Sequence, residues 1–310
     1  MTAMRIHSFA HATRHRAFTI IELLVAVSIL TLIVVVLYGL FDQVQRALRS
    51  NVAQVDVHEG GRAGMQLLLR EMEQMQANNR AGVTNLHIQL TSPPYQQALL
   101  GANESRTNVL AGITFLTHSN KSWFATSYKV LVLTNKVGNQ FVNDARLADR
   151  VGTLCRFTLR ISDSDFRNTN FVAAMMKSLD PTLAPIPNYQ MLTNYQRLVD
   201  GVVHFRIRAY DKNGYSINYL TYLTNKLAYV NMIYDPLNTS PSGTLAAETR
   251  YTFVGSALPA SLEVEMGILE PQVLERYRSF PTATVAANYL ARQAGAIHLF
   301  QQRIPIRMAK

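Results

Sequence analysis

The pattern of apolar residues divides this 310-residue chain into segments of different character. Residues 18–41 (FTIIELLVAVSILTLIVVVLYGLF) are apolar on every side of a helix, and Glu22 is the only charged residue among them. About 20 apolar residues, at a rise of ~1.5 Å each, cross the hydrocarbon layer of a bilayer. No small-x-small cleavage site follows the run, as one would in a cleaved secretory signal. The segment therefore predicts a retained transmembrane helix, in which the hydroxyls of Ser28 and Thr31 bond to the helix backbone.

Residues 42–80 predict an amphipathic continuation of this helix. Glycine costs a helix interior about 1 kcal/mol relative to alanine, so the glycines at 60, 61 and 64 indicate a kink or a true break. We expect a helix that reaches about Ala77, bent or interrupted near 60–64, with its apolar stripe packed on the globular domain. Residues 78–82 (NNRAG) predict the end of the helix. The stripe consists of Val44, Leu48, Val52, Val55, Met65, Leu68, Leu69, Met72 and Met75.

Residues 81–310 carry mainly strand patterns and predict a single α+β head. We expect the long helix to pack against an antiparallel β-sheet. Residues 211–214 (DKNG) predict a hairpin turn, since glycine supplies the positive φ. The predicted strands are 109–117, 128–134, 153–161, 202–210, 215–220 and 258–266, with an extended segment at 303–308. The predicted helices are 171–179 and 271–299, and the predicted loops are 92–95, which contains two prolines, and 235–248, with a turn at 136–140.

Glu22 is the residue that most needs an explanation. A carboxylate in the apolar layer costs roughly 2.5–3.5 kcal/mol and is therefore usually paired with a cation. There is no Lys or Arg between Arg16 and Arg46. One candidate cation is a free α-amino group, created if the chain is cut just before Phe18. That amine lies one helical turn from Glu22 on the same chain, or near it on a neighbouring chain.

The residues around this position resemble a known signal. The basic leader ends in Arg14-His15-Arg16-Ala17, and Phe18-Thr19-Ile20-Ile21-Glu22 opens the apolar run. This order is similar to the class III signal of type IV pilins and type II secretion pseudopilins. The resemblance implies that residues 1–17 are a leader, that prepilin peptidase cuts between Ala17 and Phe18, that Phe18 is N-methylated, and that Glu22 is the assembly carboxylate. The family usually has glycine where this chain has Ala17.

A second, shorter resemblance lies in the head. Leu198-Val199-Asp200-Gly201-Val202, the turn Asp211 to Gly214, and Leu258-Pro259 up to Val264 resemble the C-terminal half of J-type minor pseudopilins. The chain is longer than that pattern around 162–195 and after 270. The resemblance implies a minor pseudopilin of a type II secretion-like system.

Charge and cysteine content add limits. The formal net charge is +10 and the pI is about 9.8, but the basic residues are scattered, so we do not expect nucleic acid as a partner. The lone Cys155 excludes an intrachain disulfide, and we expect it to be buried in a strand. The leader contains Arg5, Arg14 and Arg16 and no acidic residue. By the positive-inside rule the N-terminus is cytoplasmic and the head periplasmic, on a single-pass protein of the inner membrane.

No motif predicts catalysis, a cofactor or a metal. His58-Glu59-Gly60-Gly61-Arg62 begins like a zinc-protease helix, but Arg62 replaces the second histidine. Asp163-Ser164-Asp165 lacks the glycine and the closing glutamate of a calcium loop. There is no Gly-x-Ser-x-Gly elbow and no phosphate loop. The sequence thus predicts a protein that is not an enzyme.

Three functions remain open at this point. The first is a structural subunit, minor pseudopilin-like, of a type II secretion-like or type IV pilus-like filament. Its partners are other pilin-like subunits, prepilin peptidase, inner membrane lipid and assembly platform proteins. The second is a membrane-tethered periplasmic binding or sensor domain that does not polymerise. The third is a minor pilin for adhesion or DNA uptake.

Overall fold

The structure is a computed structural model, and it describes residues 19–80, 83–99, 104–131, 136–137, 140–141, 150–163, 196–217, 232–234 and 250–307. It is an α+β fold with one long N-terminal helix. The helices are α1 (Ile20–Met72), α2 (Pro271–Ser279) and α3 (Ala283–Ala291), and a 3₁₀ turn covers Ala294–Ala296. The strands are β1 (Thr84–Ala98), β2 (Ser105–Ser119), β3 (Ser122–Leu131), β4 (Lys136–Val137), β5 (Gln140–Phe141), β6 (Gly152–Ser162), β7 (Gln196–Tyr210), β8 (Met232–Tyr234), β9 (Arg250–Val254), β10 (Ser261–Leu269) and β11 (Ile297–Pro305).

Helix α1 is uninterrupted through 60–64 and ends at Met72, so it has no break there and is shorter than the helix to about Ala77 that we expected. Two of the glycines lie in close packing contacts. A Cβ atom at Gly64 would lie 2.5 Å from Val199 Cγ2, and one at Gly61 would lie 2.5 Å from Phe300 Cζ. Two missing side chains therefore let the helix approach β7 and β11.

In the described residues nine strands form the main sheet, and β4 and β5 form a separate small hairpin. The order across the main sheet is β11-β10-β7-β6-β3-β2-β1-β9-β8. Neighbouring strands are antiparallel, as expected, but a parallel contact between Leu110 of β2 and Phe205 of β7 makes the sheet mixed. The long strands β6 and β7 confirm the predictions at 153–161 and 202–210.

Several other predicted elements differ from the structure. Strand β1 runs through 92–95, where a loop was expected, and its register against β2 shifts at Leu90/Ser92 and Ser92/Tyr95. These irregularities accommodate prolines that a regular ladder excludes. The return strand at 215–220 is reduced to one bridge between Tyr210 and Ser216 within the described part. The predicted helical segment 271–299 consists of α2, α3 and the 3₁₀ turn at Ala294–Ala296, and a strand begins at Ile297. The predicted helix 171–179 and loop 235–248 lie outside the described residues.

The sheet is covered on both faces. Neighbouring residues of a strand point to opposite faces, so Val202 and Val203 join different clusters. The larger cluster holds Val202, Phe205 and the buried residues of α1, and the smaller one holds Val203 and residues of α2 and α3. The buried large side chains of α1 are Val57, Met65, Leu68, Leu69 and Met72.

The chain divides into two compact units. The first ends at Val52 and contains most of α1. The second begins at Ala53 and contains the last turns of α1, the sheet, α2 and α3.

Candidate functional site

Glu22 accepts two hydrogen bonds from Thr19 at the start of α1. The Thr19 backbone N–H and the Thr19 hydroxyl each donate to Glu22 Oε2 at 3.0 Å. In return the Glu22 N–H donates to Thr19 Oγ1 at 3.4 Å. This reciprocal pair is a capping box, which satisfies backbone donors that the first helical turn leaves free. The carboxylate thus has polar partners within its own chain, close to the predicted cut.

The rest of the first unit presents an apolar surface. Every large apolar side chain from Ile20 to Phe41 is between 47% and 86% exposed. The Ser28 and Thr31 hydroxyls donate to the carbonyls of Leu24 and Val27 at 2.8 Å, as expected. The helix contains an 18-residue window of mean hydropathy 3.0, none of it buried. By length and composition α1 can span a membrane.

The exposed apolar surface extends past the expected membrane segment. Val44, Leu48, Val52 and Val55 are between 53% and 60% exposed. The half of the stripe from Met65 to Met75 is buried against the sheet, as expected. For the half from Val44 to Val55, packing on the globular domain stays a prediction. An exposed apolar row of this kind can be covered by lipid or by other helices.

The last turn of α1 is fixed to the sheet by a polar contact. Arg156 of β6 donates to Glu71 through Nε at 3.0 Å and Nη2 at 2.7 Å, and the Tyr128 hydroxyl of β3 donates to Glu71 at 2.5 Å. Both charged side chains are about one-fifth exposed. Burial, and then the hydrogen bond to Glu71, raise the pKa of Tyr128, which therefore stays a donor. The contact holds the helix end on the sheet.

Ala17 and Phe18, the predicted cleavage residues, lie outside the described residues, so the structure describes only Glu22 among the three predicted site residues.

Residues 12–38 match a family model described as the prokaryotic N-terminal methylation motif. The chain carries the prepilin-type signal of type IV pilins and pseudopilins. The signal implies processing by prepilin peptidase and assembly with other pilin subunits, and with the apolar helix it fits a membrane-anchored pilin. No curated protein and no solved structure matches the chain.

The other residues that the sequence analysis discussed are held in ordinary packing and hydrogen-bond contacts. His58 stacks edge-on against His298, with ring centroids 4.7 Å apart. Asp163 accepts from His118 Nε2 at 3.1 Å, at the end of the β2–β3 hairpin. Cys155 is buried in β6, as expected, and burial raises the pKa of its thiol to about 12. Among the described residues there is no group of three or more His, Cys, Asp and Glu that could hold a metal ion.

Sequence reasoning missed the role of Thr19. The spacing Thr-x-x-Glu before an apolar run is the signature of a capping box, and it is visible in the sequence. Sequence reasoning also missed that Glu265 of β10 lies opposite Arg206 of β7, since this pairing depends on the register of the two strands.

Proposed function

We propose that the chain is a structural subunit, minor pseudopilin-like, of a type II secretion-like or type IV pilus-like filament. The observation that carries this proposal is the pairing of a prepilin-type signal with a helix whose apolar side chains are exposed from Ile20 to Val55. Such a surface is stable only when lipid or other helices cover it. The helix serves first as an anchor and then as the packing element of the filament.

In this mechanism Glu22 changes partners. Before assembly the carboxylate accepts from Thr19, which lowers the cost of holding it in lipid. After cleavage the α-amino group of Phe18 supplies a cation for it, on its own or a neighbouring subunit. The attraction between two opposite charges inside an apolar bundle is strong and depends on the distance between them, so the pair fixes the register between helices.

The remaining parts of the proposal concern place and partners. Arg5, Arg14 and Arg16 keep the N-terminus in the cytoplasm, which puts the head in the periplasm of a single-pass inner-membrane protein. Inner membrane lipid and assembly platform proteins are the further partners, and a filament subunit of this kind needs no nucleic acid. The protein is not an enzyme. The alternative to this role is a minor pilin for adhesion or DNA uptake, which would use the same assembly surface.

The test combines the mature N-terminus with two variants. Mass spectrometry of the protein from cells that contain the peptidase should find an N-methylated Phe18 as the first residue. Glu22→Gln retains a capping-box acceptor without the charge, whereas Glu22→Ala removes both. Both variants should insert into the membrane normally and be absent from sheared filaments, because both lack the charge.

The tethered-domain alternative makes the opposite prediction. An intact Met1 start, with both variants behaving as the unchanged protein, would support a binding or sensor domain that does not polymerise. Filaments containing Glu22→Gln but not Glu22→Ala would mean that the cap, and not the charge, is what assembly requires.

A further inference from the structure

A cluster of charged side chains lies on β2, β7 and β10. In the β7–β10 register Arg206 is opposite Glu265 and Arg208 is opposite Glu263. Among the described residues three guanidinium groups and two carboxylates lie here, so cations outnumber anions, and the neighbouring His204 is buried. The guanidinium groups belong to Arg106, Arg206 and Arg208.

The carboxylate nearest to Arg106 already has other partners. Glu265 Oε1 accepts from Arg208 Nη1 at 2.9 Å. Glu265 Oε2 lies 3.2 Å from His204 Nε2 and 3.5 Å from Arg206 Nη1. Both oxygens of the carboxylate are thus in use, and neither is in an ion pair with Arg106.

Arg106 itself is half-buried and has no side-chain hydrogen bond and no ion pair within 4.0 Å in the part of the chain that the structure describes. Its guanidinium lies over Gly267, where a Cβ atom would be 3.6 Å from Arg106 Nη2. Burial lowers the pKa of Arg106, the carboxylate of Glu265 raises it, and the charge of Arg206 lowers it again. The group has lost part of its hydration, and the attraction of Glu265 offsets this loss without a direct hydrogen bond or ion pair among the described residues.

An oxyanion would complete this arrangement. The guanidinium presents its donors in a planar fork that fits a carboxylate or phosphate group in two-point contact. Arg206 lies beside the same position, since its Nη2 donates to the carbonyl of Thr107 at 3.5 Å. The two positive charges repel each other when the site is empty, and a bound anion attracts both of them.

We propose that Arg106, supported by Arg206, binds an oxyanion group, a carboxylate or a phosphate, on the sheet of the head. The ligand is either a free small ion or an acidic side chain of another protein. The site is independent of the filament function, because it uses no residue of the prepilin-type signal or of α1.

The first test needs no ligand. The full-length protein in a non-ionic detergent is compared with Arg106→Gln by thermal unfolding in chloride buffer. Because Arg106 is desolvated without a direct hydrogen bond or ion pair to compensate, the variant should unfold at a higher temperature than the unchanged protein. Arg303→Gln is the matched control, since Arg303 is exposed, donates to Ser261 at 2.9 Å and stacks on Tyr210, and its loss should not raise the unfolding temperature. A lower unfolding temperature for Arg106→Gln would overturn the proposal.

The second test measures binding with two probes. Inorganic phosphate represents the free ion, and a tetraglutamate peptide, compared with tetraglutamine, represents an acidic side chain. Either probe should raise the unfolding temperature, and Arg106→Gln should weaken the binding at least about tenfold, with Arg106→Lys intermediate because it keeps the charge without the fork. Binding of phosphate alone identifies a small-ion site, and tighter binding of the peptide identifies a protein contact. Absence of any Arg106-dependent binding overturns the proposal.

Discussion

His204 shows how hydrogen bonds fix the state of a single residue. Its Nδ1 accepts from the Val109 N–H at 3.3 Å, so Nε2 carries the proton and donates to Glu265 at 3.2 Å. Burial is the main reason that the pKa of His204 is lowered, and the charges of Arg106 and Arg206 lower it further, while the hydrogen bond to Glu265 opposes them. A second proton would destroy the bond from Val109. The folded protein therefore holds this histidine neutral.

The first residue-scale prediction concerns pH. The folded pKa of His204 lies below its unfolded value of about 6.5, so below that pH the unfolded chain binds a proton that the folded chain does not. Stability should fall as the pH drops from about 6.5 towards the folded pKa, by up to about 1.4 kcal/mol for each pH unit of that interval. Glu265 has a lowered pKa too, but its contribution is lost only below about 4.5.

Comparing variants isolates this contribution. His204→Gln keeps an acceptor and a donor but does not titrate, so the slope of stability between pH 7 and 5 should become shallower. His118→Gln is the control, because His118 is partly exposed and its pairing with Asp163 is at the surface. Urea unfolding at each pH gives both slopes. An unchanged slope in His204→Gln would show that another group is responsible.

At the scale of the element, two glycines of helix α1 have different surroundings. Gly64 faces β7, where a Cβ atom would lie 2.5 Å from the branched side chain of Val199, whereas Gly60 has nothing within 4 Å. Because valine has little freedom to move, Gly64→Ala should lower the free energy of unfolding by about 1–3 kcal/mol. Gly60→Ala should instead raise it by up to about 1 kcal/mol, since alanine is the better helix former.

This pair separates two explanations of the glycine-rich stretch. If the glycines weaken the helix, both variants should stabilise the protein. If they allow close packing, the two variants should have opposite signs. Circular dichroism during thermal unfolding of the two full-length variants in detergent measures the difference, and stabilisation by Gly64→Ala would contradict the packing explanation.

The elements that could be predicted well from the sequence are those with an internal period. β6 and β7 alternate regularly, and the apolar run of α1 needs no tertiary information. β1 was missed because two prolines are a strong local signal for a loop, and only its bulged pairing with β2 overrides it. A break at the glycines of α1, one of the two alternatives that the sequence left open, was wrong for the same kind of reason. A missing side chain looks the same in a kink and in a close contact, and only the neighbouring strand decides.

At the scale of the whole molecule, the two units depend on different surroundings. The first unit exposes its apolar side chains and needs lipid or other helices. The second unit contains its own core, in which Leu68, Met72, Phe115, Tyr128 and Phe205 are almost completely buried. The candidate sites follow the same division. Glu22 was predictable because it stands in a local pattern, whereas Arg106 and Glu265 come together only through strand pairing.

The last prediction follows from this division. A fragment beginning at Ala53 keeps every buried residue of α1, so it should fold without the membrane segment and unfold in one cooperative transition. Cys155 reports on the fold, because its thiol is buried in β6 and its pKa is raised to about 12. At pH 8 a thiol reagent should label the native fragment slowly, at a rate set by opening of the sheet, and should label it at once in urea. The full-length chain in non-ionic detergent is the control and should label at a similar rate. Equally fast labelling of the fragment with and without urea would mean that the head needs residues before 53 in order to fold.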